Sequence, residues 1–335
     1  MMMSSIKAKH ICSSEGASFA WMQRTNLTPY STRRGKENRV KRIIVDFDNT
    51  MGVRRRDVDD GLALLYLIGN PELVEVEAVC TAYGNATIDI VHENTLRLFK
   101  EWHLGIPVYR GATTSGEEDA SSCEAARLLA RSAREHPGEI SLLATGSLTN
   151  LKGARMLDAD FFRNIAEVAL MGGITESLII NGRIMNELNL SCDAQAALAV
   201  LEGAAAGNPT TIATAQNCLP AFFTREDLVE RFSEDGYLTR AVGYWLSDME
   251  KTYGCSGFIC WDVVAAAALV KPELFCAQTR PVTLSERMLS IGLLEQAAPE
   301  SPQATIATPR IADAEAFKQD VVSSWERALR ILGIE

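Results

Sequence analysis

The chain has 335 residues, 47% of them apolar and 23% charged, with a formal net charge of −10. That is ordinary for a soluble globular enzyme, and no apolar run approaches the roughly 20 residues a membrane span needs. Residues 1–42 carry a net +7 and the remainder −17. So acidic a body excludes general nucleic-acid binding, because phosphate backbones demand clustered Lys and Arg.

Residues 1–40 hold Ser, Thr, Lys and Arg without hydrophobic periodicity and are expected to form a disordered basic leader. Glu15, Glu37 and the missing amphipathic pattern argue against a transit peptide. The fold is expected to occupy residues 41–335. Arg42 to Asp48 is a short β-branched run ending in acid, as a buried parallel strand would be. Gly61 to Ile68 reads as a helix, Val74 to Thr81 as a strand closing at Tyr83-Gly84-Asn85, and Val91 to Trp102 as a helix. Val108-Tyr109 is a short strand, Ser122 to Glu135 an alanine-rich helix, and Ile140 to Thr145 a further buried strand.

The alternation continues. Phe161 to Ala166 leads into the strand Val168 to Met171, stopped by Gly172-Gly173. Cys192 to Leu201 is helical and Thr210 to Thr214 a strand. Leu228 to Phe232, Leu238 to Tyr253 and Trp261 to Leu269 are helices. Strands alternating with helices predict a single doubly wound, mostly parallel sheet of Rossmann-like type, with helices on both faces. Ligands of such sheets bind beyond the carboxyl ends of the strands.

The eight cysteines form no C-x-x-C pair and sit mostly in apolar runs, which points to reduced core residues and a cytoplasmic setting. The four histidines are scattered, so a zinc site is not expected. The chemistry gathers elsewhere. Asp46, Asp48, Asp57, Asp59 and Asp60 lie within fifteen positions, at the end of the first strand and the start of the next helix. Carboxylates so crowded repel one another unless a positive charge sits among them. A hard divalent cation fits, and calcium accepts an irregular oxygen cage more readily than magnesium. The alternative is a solvated acidic loop in which Asp57 caps the helix. Asn85, Asn181, Asn186, Glu187 and Asn189 add polar groups suited to a polyhydroxylated ligand, and Asp262 either joins the cluster or caps its helix.

These motifs together resemble the inosine–uridine nucleoside hydrolase family, from about Lys41 to the C-terminus. The correspondence rests on Asp46-Phe47-Asp48 with Gly52 and Asp59-Asp60, then Gly84-Asn85, and then Thr145-Gly146-Ser147-Leu148-Thr149-Asn150. It continues through Met171-Gly172-Gly173, Glu187-Leu188-Asn189 with Asp193, and finally Asp262. The resemblance implies calcium held by Asp48, Asp60, Asp262 and the carbonyl of Thr145. It also implies a water nucleophile with Asp48 as general base, and a ribose held by Asp59, Asn85, Asn181, Glu187 and Asn189 beside Met171. Its substrates would be small-molecule nucleosides, and its assembly a homodimer or homotetramer.

Two departures stand out. Extra residues, including Arg54-Arg55-Arg56, separate Asp48 from Asp59; turned inward, these arginines would favour an anionic ligand. Trp261 stands where pyrimidine-tolerant members often place a histidine, which resembles the purine-preferring branch and its aromatic stacking on the base. Trp261 as simple core filling is the bland alternative. Ser233 to Gly257, with Tyr244, Trp245 and Tyr253, reads either as a lid over the base or as surface helices with buried aromatics. Two rival functions remain at this level. Val45-Asp46-Phe47-Asp48-Asn49-Thr50 also resembles the first motif of haloacid-dehalogenase-type magnesium phosphatases, with Asp46 as nucleophile. A nucleoside- or ribose-binding relative with impaired turnover is the other.

Overall fold

The computed structural model describes residues 40–334. The expected basic leader, apart from Val40, lies outside the described residues. Eight strands form one sheet: β1 (Lys41–Phe47), β2 (Val74–Thr81), β3 (Val108–Arg110), β4 (Ile140–Ala144), β5 (Glu167–Met171), β6 (Thr210–Ala213), β7 (Thr279–Val282) and β8 (Ala304–Ala307). Their order is β3-β2-β1-β4-β5-β6-β8-β7. All neighbours pair in parallel except β7 with β8. The antiparallel strand β7 lies at the edge, where Pro281 needs no ladder partner for its missing N–H.

The alternating side chains divide the interior into two cores. Ile43, Val45 and Phe47 of β1, Leu143 of β4 and Ala169 and Met171 of β5 face one side. There they pack under the helices Asp59–Ile68, Trp261–Val270 and Ala314–Leu332. Ile44, Leu142, Val168 and Leu170 face the other side, covered by the helices Glu124–Glu135, Thr149–Leu157 and Ala194–Ala205. The period of two makes both faces of each central strand apolar, which is why these segments read as continuous hydrophobic runs. The last helix is fixed at both ends: Asp313 accepts from the backbone N–H groups of Glu315 and Ala316 at 2.9 and 3.0 Å, and Gly333 closes it at φ 67°. Its fully buried Trp325 donates from Nε1 to the carbonyl of Leu62 at 2.9 Å, joining it to the first helix.

The strand order reverses direction between β1 and β4, so the loops after these two strands diverge to opposite faces and leave a crevice. Asp46 pairs with Ala144 across this seam, and the Thr145 N–H donates to the Asp46 carbonyl at 2.8 Å. The loop following β1 is closed on itself by Thr50 Oγ1 donating to the Asp57 carbonyl at 2.9 Å. Asn94 holds it to the helix Ile88–Glu101 through the carbonyls of Asn49 and Met51, each at 3.2 Å. No helix among the described residues is long and apolar enough to cross a membrane.

Candidate active site

A cavity of about 230 Å³ opens at the carboxyl ends of the parallel strands. Asp57 and Asp59 reach it from beyond β1, Asn85 from beyond β2 and Thr145 from beyond β4. Met171 closes β5, and Ala215 follows β6. Its lining combines carboxylates and amides (Asp57, Asp59, Asp262, Asn85, Glu187, Asn189) with an apolar and aromatic wall from Met171, Leu178, Met185, Trp245, Tyr253 and Trp261.

The acidic part of the lining is built where two helices begin. Asp59 and Asp60 occupy the first turn of Asp59–Ile68, and Asp262 the first turn of Trp261–Val270, where the positive end of each helix dipole favours negative charge. Carboxylate oxygens of Asp59, Asp60 and Asp262 all lie within 4.8 Å of one another. Asp48 meets Asp60 directly. It is held from its other side by Asn85, whose backbone N–H donates to Asp48 Oδ2 at 2.5 Å and whose amide donates to Oδ1 at 3.1 Å. Gly84 permits that approach, since a Cβ there would stand 2.0 Å from Asp48 Oδ2.

Burial raises every carboxyl in this group. It pushes Asp48 up to about 6, against hydrogen bonds from Asp60 and Asn85 that pull the other way. Asp60 and Asp262 lie well above the ordinary carboxylate range, first through burial and then through the neighbouring aspartates, and Asp59 is raised by burial. With no cation among them, these acids can lower their mutual repulsion only by taking up protons. Asp60 Oδ1 accepts from Thr145 Oγ1 at 2.7 Å, while Asp60 Oδ2 is buried with no hydrogen-bond donor among the described residues. An all-oxygen set with an unpartnered buried carboxylate oxygen is the donor chemistry that a hard divalent cation requires. The residues present fit such an ion.

Polar groups from the segment after β5 complete the floor. Asn189 spends both amide hydrogens on the carbonyls of Thr145 (2.9 Å) and Met171 (3.0 Å), so its amide oxygen is what it can present to a ligand. Glu187 accepts from the backbone N–H groups of Gly173, Leu190 and Ser191 at 3.0, 2.8 and 2.9 Å. It therefore braces the loop as well as lining the cavity. Gly292, at φ 72°, makes room for it: a Cβ would come within 2.2 Å of Glu187 Oε2. Beneath the loop, Asp193 caps the helix Ala194–Ala205 and pairs with buried Lys152 at 2.6 Å.

The structure brings Asp48, Asp59, Asp60, Asn85, Thr145, Met171, Glu187, Asn189, Trp261 and Asp262 to one place, but not Asn181. That residue is exposed in the turn of a small hairpin (Ile179–Ile180 with Arg183–Ile184), at φ 47°. Its amide is committed to the carbonyls of Tyr253 and Gly254 at 3.1 and 3.2 Å. Asn186 lines the cavity instead, as does Asp57. Asp57 is not a helix cap: Val58 holds the N-cap position, and Asp57 Oδ1 accepts from its own neighbour's N–H at 2.7 Å. Asp57 thus stays with the acidic cluster in which its spacing placed it, two residues before Asp59.

Three further expectations are settled by position. Arg54, Arg55 and Arg56 are exposed and none lines the cavity. Arg54 lies 4.9 Å from the ring centroid of Tyr244, and Arg56 donates to the Asn85 carbonyl at the rim. Asp46 is fully buried on the opposite face of the sheet, bonded to the Asn150 amide at 2.8 Å. It cannot serve as an accessible nucleophile, which removes the structural basis of the phosphatase reading. Ser233 to Gly257 is mainly one helix, Tyr237–Tyr253, whose Trp245 and Tyr253 face the cavity while Tyr244 is exposed.

Fold and site together define an α/β protein with an acidic, cation-suited cavity at the switch point of its sheet. The family model described as "Inosine-uridine preferring nucleoside hydrolase" matches residues 43–319. The chain belongs to that family, and so to the hydrolases acting on N-glycosyl compounds. Among curated relatives, the pyrimidine-specific ribonucleoside hydrolase RihA of Citrobacter koseri is 28% identical over 66% of this chain and 79% of its own. Uridine nucleosidase 1 of Arabidopsis thaliana is 26% identical over 75% and 80%. Two solved structures share the fold. The plant nucleoside hydrolase PpNRh1 has a TM-score of 0.71 at 21% identity, covering 85% of this chain and 98% of its own. A purine-preferring ribonucleoside hydrolase from Gardnerella vaginalis has a TM-score of 0.66 at 20% identity, covering 87% and 100%.

Proposed function

We propose that this protein hydrolyses the N-glycosidic bond of ribonucleosides, with calcium as its ion and purine nucleosides as its preferred substrates. The observation that carries this reading is one cavity lined by both carboxylates and aromatic rings, the chemistry that a sugar and a base require. Asp48, Asp60, Asp262 and the Thr145 carbonyl would hold the ion, with Asp59 within reach of it. An irregular cage of carboxylates and a carbonyl suits calcium. When bound, a hard divalent cation lowers the pKa of a water and holds it for attack.

The chain's own groups do the rest. Asp48, fixed by two hydrogen bonds from Asn85, takes the proton from the attacking water. Asp57, Asp59, Asn186, Glu187 and Asn189 pair with the ribose hydroxyls, and Asn186 takes the place expected for Asn181. Met171 packs against the sugar. The surrounding carboxylates favour the positive charge that grows on the sugar as the bond breaks. Trp261, which lines the cavity, stacks on the base.

Purine preference is supported by the aromatic wall of Trp245, Tyr253 and Trp261 and by a cavity lining that, among the described residues, contains no histidine. The names of the curated relatives favour a second reading, in which uridine is the better substrate. Comparing kcat/KM for inosine and uridine decides between them. A higher value for inosine supports the purine reading; a higher value for uridine replaces it. The apolar setting of most cysteines supports a cytoplasmic location, and sedimentation of the purified protein would test the homodimer or homotetramer.

A further inference from the structure

One polar group of the aromatic wall is left unused by these roles. The helix Tyr237–Tyr253 buries Leu238, Val242, Leu246 and Met249 in the core, and in that register Trp245 and Tyr253 line the cavity. On the outer side of the same turn, Arg54 stacks on Tyr244 and ties the helix to the loop that carries Asp57. The Trp245 side chain is therefore part of the wall. Its Nε1 is buried and has no hydrogen-bond partner among the described residues, and a buried donor left unpaired is destabilising unless a ligand supplies the acceptor.

We infer that Trp245 is a specificity-determining residue whose indole N–H donates to an acceptor of the nucleobase, a ring nitrogen or a carbonyl oxygen, and steadies the base as it leaves. The inference rests on the hydrolase reading and deepens it. In that reaction the water oxygen bonds to C1′ and the C1′–N bond breaks. The electron pair goes to the base, and the base takes up a proton originating from water. Negative charge on the base grows towards the transition state, so a donor to it bonds more strongly there than in the ground state. Among the described residues, no lysine, arginine or histidine lines the cavity to do this. An indole N–H donates without giving up its proton, so it adds no titration of its own to the pH profile.

The test uses the full chain with calcium and two substrates, inosine and 4-nitrophenyl β-D-ribofuranoside, whose leaving group is stable as an anion without help. Trp245→Phe keeps an aromatic ring and removes the N–H. The ratio of kcat/KM for inosine to that for the nitrophenyl riboside is expected to fall about tenfold to a hundredfold, the range for a lost hydrogen bond to a charged group. Trp245→His returns a ring N–H and should recover part of that ratio. A ratio that stays at the wild-type value in Trp245→Phe overturns the inference while leaving the hydrolase reading intact. Wild-type protein that cleaves neither substrate overturns both.

Discussion

Thr145 Oγ1 donates to Asp60 Oδ1 at 2.7 Å, tying the end of β4 to the first turn of the helix after β1, while Asp60 Oδ2 is buried with no hydrogen-bond donor among the described residues. One oxygen positions the side chain and the other is left for a cation. Asp60→Asn removes the charge and keeps the shape. Turnover should fall about a hundredfold or more, since the electrostatic contribution of a bound ion is worth several kcal/mol. The rise in Tm expected on adding calcium should disappear with it. A variant that keeps both would remove Asp60 from the ion site.

The raised carboxyls make a pH prediction whose sign is fixed. An acid with a folded-state pKa above its unfolded value stabilises the fold when protonated, and this contribution is lost as pH rises through the folded value. Here the window runs from the ordinary carboxyl value of about 4 to the value of about 6 for Asp48, with Asp59, Asp60 and Asp262 raised in the same direction. Chelated protein should therefore lose stability from this group across that window. Calcium, which needs the ionised forms, should restore it, so the gap in Tm with and without the ion should widen with pH. A gap independent of pH would contradict the assignment.

Gly84→Ala places a Cβ where Asp48 Oδ2 now stands, 2.0 Å away. The carboxylate has to move, so the expected result is a loss of turnover far larger than the loss of stability. Overpacking of this kind costs about 1–3 kcal/mol, which a denaturant titration reads directly. Comparable proportional losses would mean that the glycine serves the fold alone.

Lys152 and Asp193 form a buried pair at 2.6 Å under the loop that carries Glu187 and Asn189. Lys152→Met removes the paired cation and leaves the Asp193 carboxylate only its hydrogen bonds from Thr149 Oγ1 and the Ala196 N–H; breaking a buried pair from one side costs about 3–5 kcal/mol. A markedly lower Tm is expected. If the melt is unchanged, those two donors suffice to hold the charge.

Much of this was legible in the sequence because the relevant physics is local. β2 occupies Val74–Thr81 as its β-branched run predicts, and β1, β4, β5 and β6 fall within a residue or two of their apolar runs. The acidic cluster was readable because Asp48, Asp59 and Asp60 sit beside one strand end. What escaped was set by tertiary context. The helix Ala314–Leu332 carries no chemical motif, although Asp313 and Gly333 mark its ends and Phe317, Val321, Trp325 and Ala328 its buried stripe. The edge strand β7 and its neighbour β8 are four residues each and contain Pro281 or alternate weakly. Asn181 and Asn186 are five positions apart in one polar segment, and only the hairpin between Ile179 and Ile184 decides which of them meets the cavity. The orphaned indole of Trp245 depends on the register of a whole helix.

The central claim is tested most directly by incubating the purified protein with inosine and following free hypoxanthine and ribose, first with calcium and then with excess chelator. The account predicts stoichiometric base and ribose with calcium, none after chelation, and recovery when calcium is returned. Release that persists through chelation would contradict the ion's role. No release from inosine or from any other ribonucleoside would contradict the hydrolase reading itself.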